Sequence, residues 1–188
     1  MAAQWKTLDE NERGVWRAAP LEGMGSLKFG MAHEEVEHAV REGMLESSSF
    51  KARSGHVARA EFILQNSNPI MPASSLSTYY GESGELAAVA VDARSGPQVV
   101  LDGLRLVGRV PSELKAQFSE YVGSRGLSLL YSEYWDPSSE ELGIVLRVQR
   151  VDDVVLSRPV FVCEAWAERC GDSREGKIPS TEWNRFSR

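Results

Sequence analysis

Hydrophobic positions change their spacing along the chain, and the changes mark its elements. In residues 34–42, Val36, Ala39 and Val40 recur at helical spacing and Gly43 supplies a stop, which predicts an amphipathic helix. A second helix is predicted over 112–122. Pro111 precedes it, Ser112 is placed to cap it, and Leu114, Phe118 and Tyr121 form one stripe. Elsewhere the spacing is two or the apolar run is short. Residues 26–30, 59–65, 76–80, 85–93, 98–106, 127–135, 142–151 and 159–169 read as strands. Gly81-Glu82-Ser83-Gly84 joins two of them into a hairpin. The Ser- and Gly-rich stretch 46–56 reads as loop, as does 66–75 with its two prolines. Residues 1–20 form a polar lead-in, helical or irregular, with Trp5 and Trp16. Residues 171–188 form a polar tail, docked or free, with Trp183 and Phe186.

The two predicted helices follow similar lead-ins. Leu27-Lys28-Phe29-Gly30-Met31 compares with Leu104-Arg105-Leu106-Val107-Gly108-Arg109, one residue longer. Beyond the insertion, Gly30 aligns with Gly108, Glu35 with Glu113 and Val36 with Leu114 at a constant offset of 78. A period of this size is a duplicated supersecondary unit rather than a solenoid repeat. The predicted fold class is α+β: two tandem helix-plus-antiparallel-sheet repeats forming a curved sheet with the helices on one face. The lead-in is 1–20, the first repeat 21–96, the second 97–170 and the tail 171–188.

The stretch Gly25-x-Leu27-x-Phe29-Gly30-Met31-x-x-x-Glu35-Val36 resembles the helix-opening motif of the beta-lactamase inhibitory protein fold, shared with small lipoproteins of outer-membrane assembly. The inhibitor carries two such units in tandem. Unlike in the inhibitor, no secretory leader is expected here, and the cysteines are too few for one disulfide per repeat. What the resemblance implies is a scaffold that binds another protein with its sheet face. The chain also resembles, more loosely, small acidic actinobacterial proteins, some of which are similar to immunity proteins of toxin systems.

Composition narrows the function classes. Apolar residues make up 42% of 188, enough for a real core. Acidic residues outnumber basic ones, 27 to 21, for a net charge of -6, which disfavours a nucleic-acid partner and suits a basic protein. No apolar run is long enough to span a bilayer, and no cationic stretch leads into an apolar one, so neither membrane nor export is expected. Cys163 and Cys170, seven residues apart, match no zinc or redox spacing and read as reduced thiols of a cytoplasmic protein.

No catalytic, metal or cofactor signature emerges. His33 and His38 are five apart, so on a helix they diverge by about 140° instead of sharing a face as zinc-protease histidines do. The glycine pairs Gly23/Gly25 and Gly81/Gly84 fit turns, not phosphate loops. Cys163 lies in an apolar strand context, and the pairs Glu140/Glu141 and Asp152/Asp153 lie in bends.

The candidate binding residues come from alternation. Tyr131, Glu133 and Trp135 share one face of strand 127–135; Glu164, Trp166 and Glu168 share one face of strand 159–169. Together they predict an aromatic and acidic sheet surface that anchors a protein partner. The leading expectation is a non-enzymatic immunity or inhibitor protein, monomer or weak dimer, that neutralises a cognate basic toxin or enzyme. The alternatives are an enzyme or small-ligand binder with a pocket between helices and sheet, and a structural module of an assembly.

Overall fold

Strands from both halves of the chain join in one eight-stranded antiparallel sheet, with a five-stranded sheet beside it. The computed structural model describes residues 7–64 and 74–185. The large sheet runs β10 (Leu130–Tyr131), β11 (Pro137–Ser139), β12 (Ile144–Val151), β13 (Val154–Val162), β7 (Leu86–Val91), β6 (Leu76–Tyr80), β5 (Val57–Leu64), β4 (Met44–Lys51). The halves meet at β13 and β7, where Val160 pairs with Ala90 and Val162 with Ala88. The small sheet runs β3 (Leu27–Lys28), β2 (Gly23–Met24), β1 (Val15–Ala19), β8 (Gln98–Leu101), β9 (Leu104–Arg105). Its β1–β8 pair is parallel.

Each half contributes a short hairpin, a helix and four antiparallel strands. The helices α1 (His33–Val40) and α2 (Pro111–Ser124) begin 78 residues apart, and Gly30 and Gly108 before them both take positive φ, 94° and 67°. Only glycine enters that region without steric cost, so the same backbone device opens both helices. The Ala32 N–H donates to Glu35 at 2.8 Å, which caps α1.

Both faces of the large sheet are covered at its central strands. Every residue of β6 and β7 is buried, and β7 is apolar throughout. On one side Val36 and Val40 of α1 join Leu114, Phe118 and Val122 of α2 in a core with Phe62, Val89, Ile144 and Phe161. On the other, Ala167, Cys170, Ile178 and Trp183 pack on Tyr79, Ala88, Ala90, Val145, Val160 and Val162. These residues come from α3 (Glu164–Ala167), the segment after it and α4 (Ser180–Arg185). The C-terminal tail is therefore a strap across the sheet.

Several sequence expectations shift. The lead-in contains β1, and the stretch 46–56 read as loop is mostly β4. Six of the eight β4 residues are exposed, so the strand needs no apolar alternation and its serines hid it. The expected strand 98–106 is two strands joined at Asp102-Gly103, both at positive φ, 46° and 87°, as a tight hairpin turn requires. The expected loop 66–75 lies largely outside the described residues.

Candidate functional site

The expected acidic and aromatic sheet face does not form. The strand expected over 159–169 ends at Val162, and Glu164 to Ala167 make a helical turn whose Trp166 N–H donates to Cys163 O at 3.0 Å. A helical turn breaks period-two alternation, so Glu164, Trp166 and Glu168 no longer share a strand face. Likewise, only Leu130–Tyr131 of the expected strand 127–135 is extended. Glu133 and Trp135 lie in the bend that follows, and the central strands are covered by the strap.

Tyr131 and Trp135 nevertheless come together, and Glu133 lines a cavity with Tyr131. The bend 132–136 is held around Ser132, which is buried. Its N–H donates to Asp136 O and its carbonyl accepts from the Trp135 N–H, both at 3.0 Å; its Oγ accepts from the Tyr134 and Asp136 N–H groups, both at 3.1 Å. Beneath it, the carboxylate of Asp136 lies 3.5 Å from the guanidinium of Arg147, both almost fully buried. Above it, Trp135 is 68% exposed at φ 64°. A non-glycine side chain in that region costs about 1–2 kcal/mol. Tyr131 is 42% exposed with its ring 6.1 Å from that of Trp135, and Lys115 Nζ from α2 lies 4.6 Å from the Tyr131 centroid. Tyr134, also exposed, stacks on Trp183 of the strap at 6.3 Å between centroids. Together these residues form a braced aromatic knuckle at the edge of the sheet.

Glu133 accepts a hydrogen bond from Ser173 and pairs with Arg174 at 3.2 Å. The Ser173 hydroxyl, then Arg174, hold its carboxyl below the usual carboxylate range, so it is anionic at neutral pH. Between the knuckle and the strap is a cavity of about 470 Å³, lined by Tyr131, Glu133, Glu140, Arg169, Asp172 and Arg174 among others. Trp166, half-buried, instead lines a broad cleft with His56, Tyr80, Glu85 and Lys177, and the two spaces share no lining residue.

Sequence reasoning missed Tyr134, Lys115 and Ser132. The turn-forming order Ser132-x-x-x-Asp136-Pro137 was the available signal, but alternation through Trp135 overrode it.

Other chemistry-bearing groups have plain structural roles. His33 Nδ1 lies 2.9 Å from the Tyr80 hydroxyl and its Nε2 3.4 Å from Glu37, tying α1 to β6. Burial pushes the Tyr80 hydroxyl up to about 12. Ser54 Oγ and His56 Nδ1 are 2.7 Å apart within one exposed turn. Burial pushes the Cys170 thiol up to about 12, which leaves it un-ionised and inert; Cys163 and Cys170 are both free. No group of three or more metal-ligating side chains is assembled among the described residues. A recess of about 290 Å³ is lined by Trp16, Val40 and Leu64 among others. No described helix is long and apolar enough to cross a membrane.

The knuckle yields a stability prediction. Trp135→Gly removes the backbone strain and sacrifices little buried surface, so its unfolding free energy in urea is expected to rise by about 0.5–1 kcal/mol. An unchanged or lower value would show that the bend is not strained.

No family model, curated protein or solved structure matches this chain.

Proposed function

We propose that this chain is a non-enzymatic protein-binding protein of the immunity or inhibitor type, which docks its aromatic knuckle into a basic cleft of a cognate toxin or enzyme. The observation that carries the reading is Trp135, an indole 68% exposed on a backbone conformation that disfavours it, braced by buried groups. Surface strain of this kind is kept where the side chain meets something. Rigid presentation also lowers the entropy lost on binding. Tyr131 and Tyr134 widen the anchor, and Glu133 supplies a carboxylate beside it. The net charge of -6 favours approach to a basic surface.

The likeness of the two halves supports an origin by duplication: the element order recurs, and Gly30/Gly108 and Val36/Leu114 keep their offset and their roles. In this reading the partner meets the edge knuckle rather than the open sheet face that the inhibitor-fold resemblance implied. The free thiols fit a reducing, cytoplasmic location.

The test is capture from the native host with the wild-type chain and Trp135→Ala side by side, followed by calorimetry on the protein that only the wild type retains. Trp135→Ala is expected to weaken that complex by about 2 kcal/mol, some 30-fold, with an unchanged circular-dichroism spectrum. Equal affinity of the two chains for the captured partner would defeat the proposal.

A further inference from the structure

A sheet edge carries unpaired N–H and C=O groups and pairs readily with another strand, so proteins keep edges short or interrupted. Among the described residues, three of the four sheet edges are strands of two residues, β3, β9 and β10. The fourth, β4, is eight residues long, contains no proline, and has no described strand on its outer side.

Its pattern is self-complementary. Register shifts against β5 fall at Met44/Glu46 and at Phe50/Lys51, and they bound a regular run from Glu46 to Phe50 with Ser48 at its centre. Exposed apolar side chains sit at the two ends, Leu45 at 56% and Phe50 at 46%. The Arg59 guanidinium lies 4.1 Å from the centre of the Phe50 ring, which puts a cation at the end opposite Glu46.

We propose that β4 pairs antiparallel with β4 of a second copy of this chain, about a two-fold axis through Ser48, so that two eight-stranded sheets join edge to edge. Residues directly opposite in such a pair point to the same face, so the axis must pass through a residue and not between two. Of the three serines, only Ser48 keeps the whole run 46–50 paired. Ser48 then faces its own copy, Ser47 faces Ser49, and Glu46 faces Phe50 with Arg59 above it. Leu45, the extra residue of the bulge, falls beside the same Phe50. The three small serines put no bulk or like charge at the axis. Both copies carry -6, and the paired edge is small, so the dimer belongs to the weak, micromolar class.

Sedimentation equilibrium from about 1 µM to 1 mM is the first measurement. The mass is expected to rise from one chain to two across this range. Ser48→Lys sets two ammonium groups opposite each other and is expected to weaken the dimer at least tenfold. Ser48→Cys, in a Cys163→Ser background, reads the register without depending on affinity. Opposed Cα atoms across antiparallel strands lie within disulfide reach, so mild oxidation is expected to give a covalent dimer. Ser47→Cys and Ser49→Cys are expected to cross-link as a mixture and not separately. The proposal is overturned by a single-chain mass throughout, by a dimer indifferent to Ser48→Lys, or by cross-linking as efficient at Ser47 or Ser49 alone.

Discussion

Glu182→Ala is expected to lower the unfolding free energy by about 3–5 kcal/mol, a large part of the stability of a domain this size. Arg147 and Arg158 sit directly opposite each other on β12 and β13, and both are almost fully buried. Like charges in that position repel, and burial strips them of water. The strap supplies the compensation. Glu182, fully buried, lies 2.7 Å from Arg158 Nε and 3.1 Å from its Nη2, and accepts from the Tyr79 hydroxyl. The carbonyls of Glu182 and Trp183 accept from Arg147. Asp92 and Asp136 complete the network at 3.6 Å from Arg158 and 3.5 Å from Arg147. Burial works against the Arg158 charge, but Glu182 and Asp92 outweigh it and its pKa lies above the ordinary arginine value. At Arg147 burial prevails over Asp136 and Glu182, and the pKa lies below it.

Removing Glu182 leaves Arg158 in the sheet without its main counter-ion. Removing both ends, as Glu182→Leu with Arg158→Met, replaces a charge pair by apolar contact and is expected to be more stable than either single variant. Urea unfolding of the three variants checks this. A loss below about 1 kcal/mol for Glu182→Ala would mean that the strap is not a fixed part of the fold.

Phe118→Ala is the second large effect, expected at about 3–5 kcal/mol. Phe118 is fully buried on the opposite side of the sheet, between Leu114 and Val122 on the inner stripe of α2. Truncating it opens a cavity that the packed strands cannot close, so cavity and transfer losses add. Phe118→Leu, which keeps more of the volume, is expected to lose less. Since Phe118 and Glu182 lie on different faces, the double variant is expected to lose the sum of the two to within about 0.5 kcal/mol. A clear departure from that sum would show that the two faces are coupled through the sheet.

The helices were legible because their spacing is local, although α2 starts at Pro111 with Val110 as its N-cap, so Ser112 lies inside the helix and does not cap it. Val36 and Val40, and Leu114 and Phe118, are buried as their spacing required, and the glycine-led openings lie where the offset placed them. The hairpin of β6 and β7 was legible for the same reason. Strand β4 was not, since an edge strand of exposed serines has no core to impose alternation. The bend at Ser132–Asp136 was not, since period-two spacing through Tyr131, Glu133 and Trp135 looks the same in a strand and in a turn that folds back. Tyr131 and Trp135 still meet, because hydrogen bonds to Ser132 fold the bend back, and not through a shared pleat.

Local spacing, composition and turn residues determined the α+β class, the two helices and the hairpin of β6 and β7. Tertiary structure decided which strands became neighbours, that the polar tail would close the second face, and that Arg147 and Arg158 would be buried together. Sequence periodicity reports only whether one side of an element meets apolar surface. Whether a glutamate in a tail is wet or becomes the counter-ion of a buried arginine depends on groups distant along the chain, Glu182 being 24 residues from Arg158 and 103 from Tyr79.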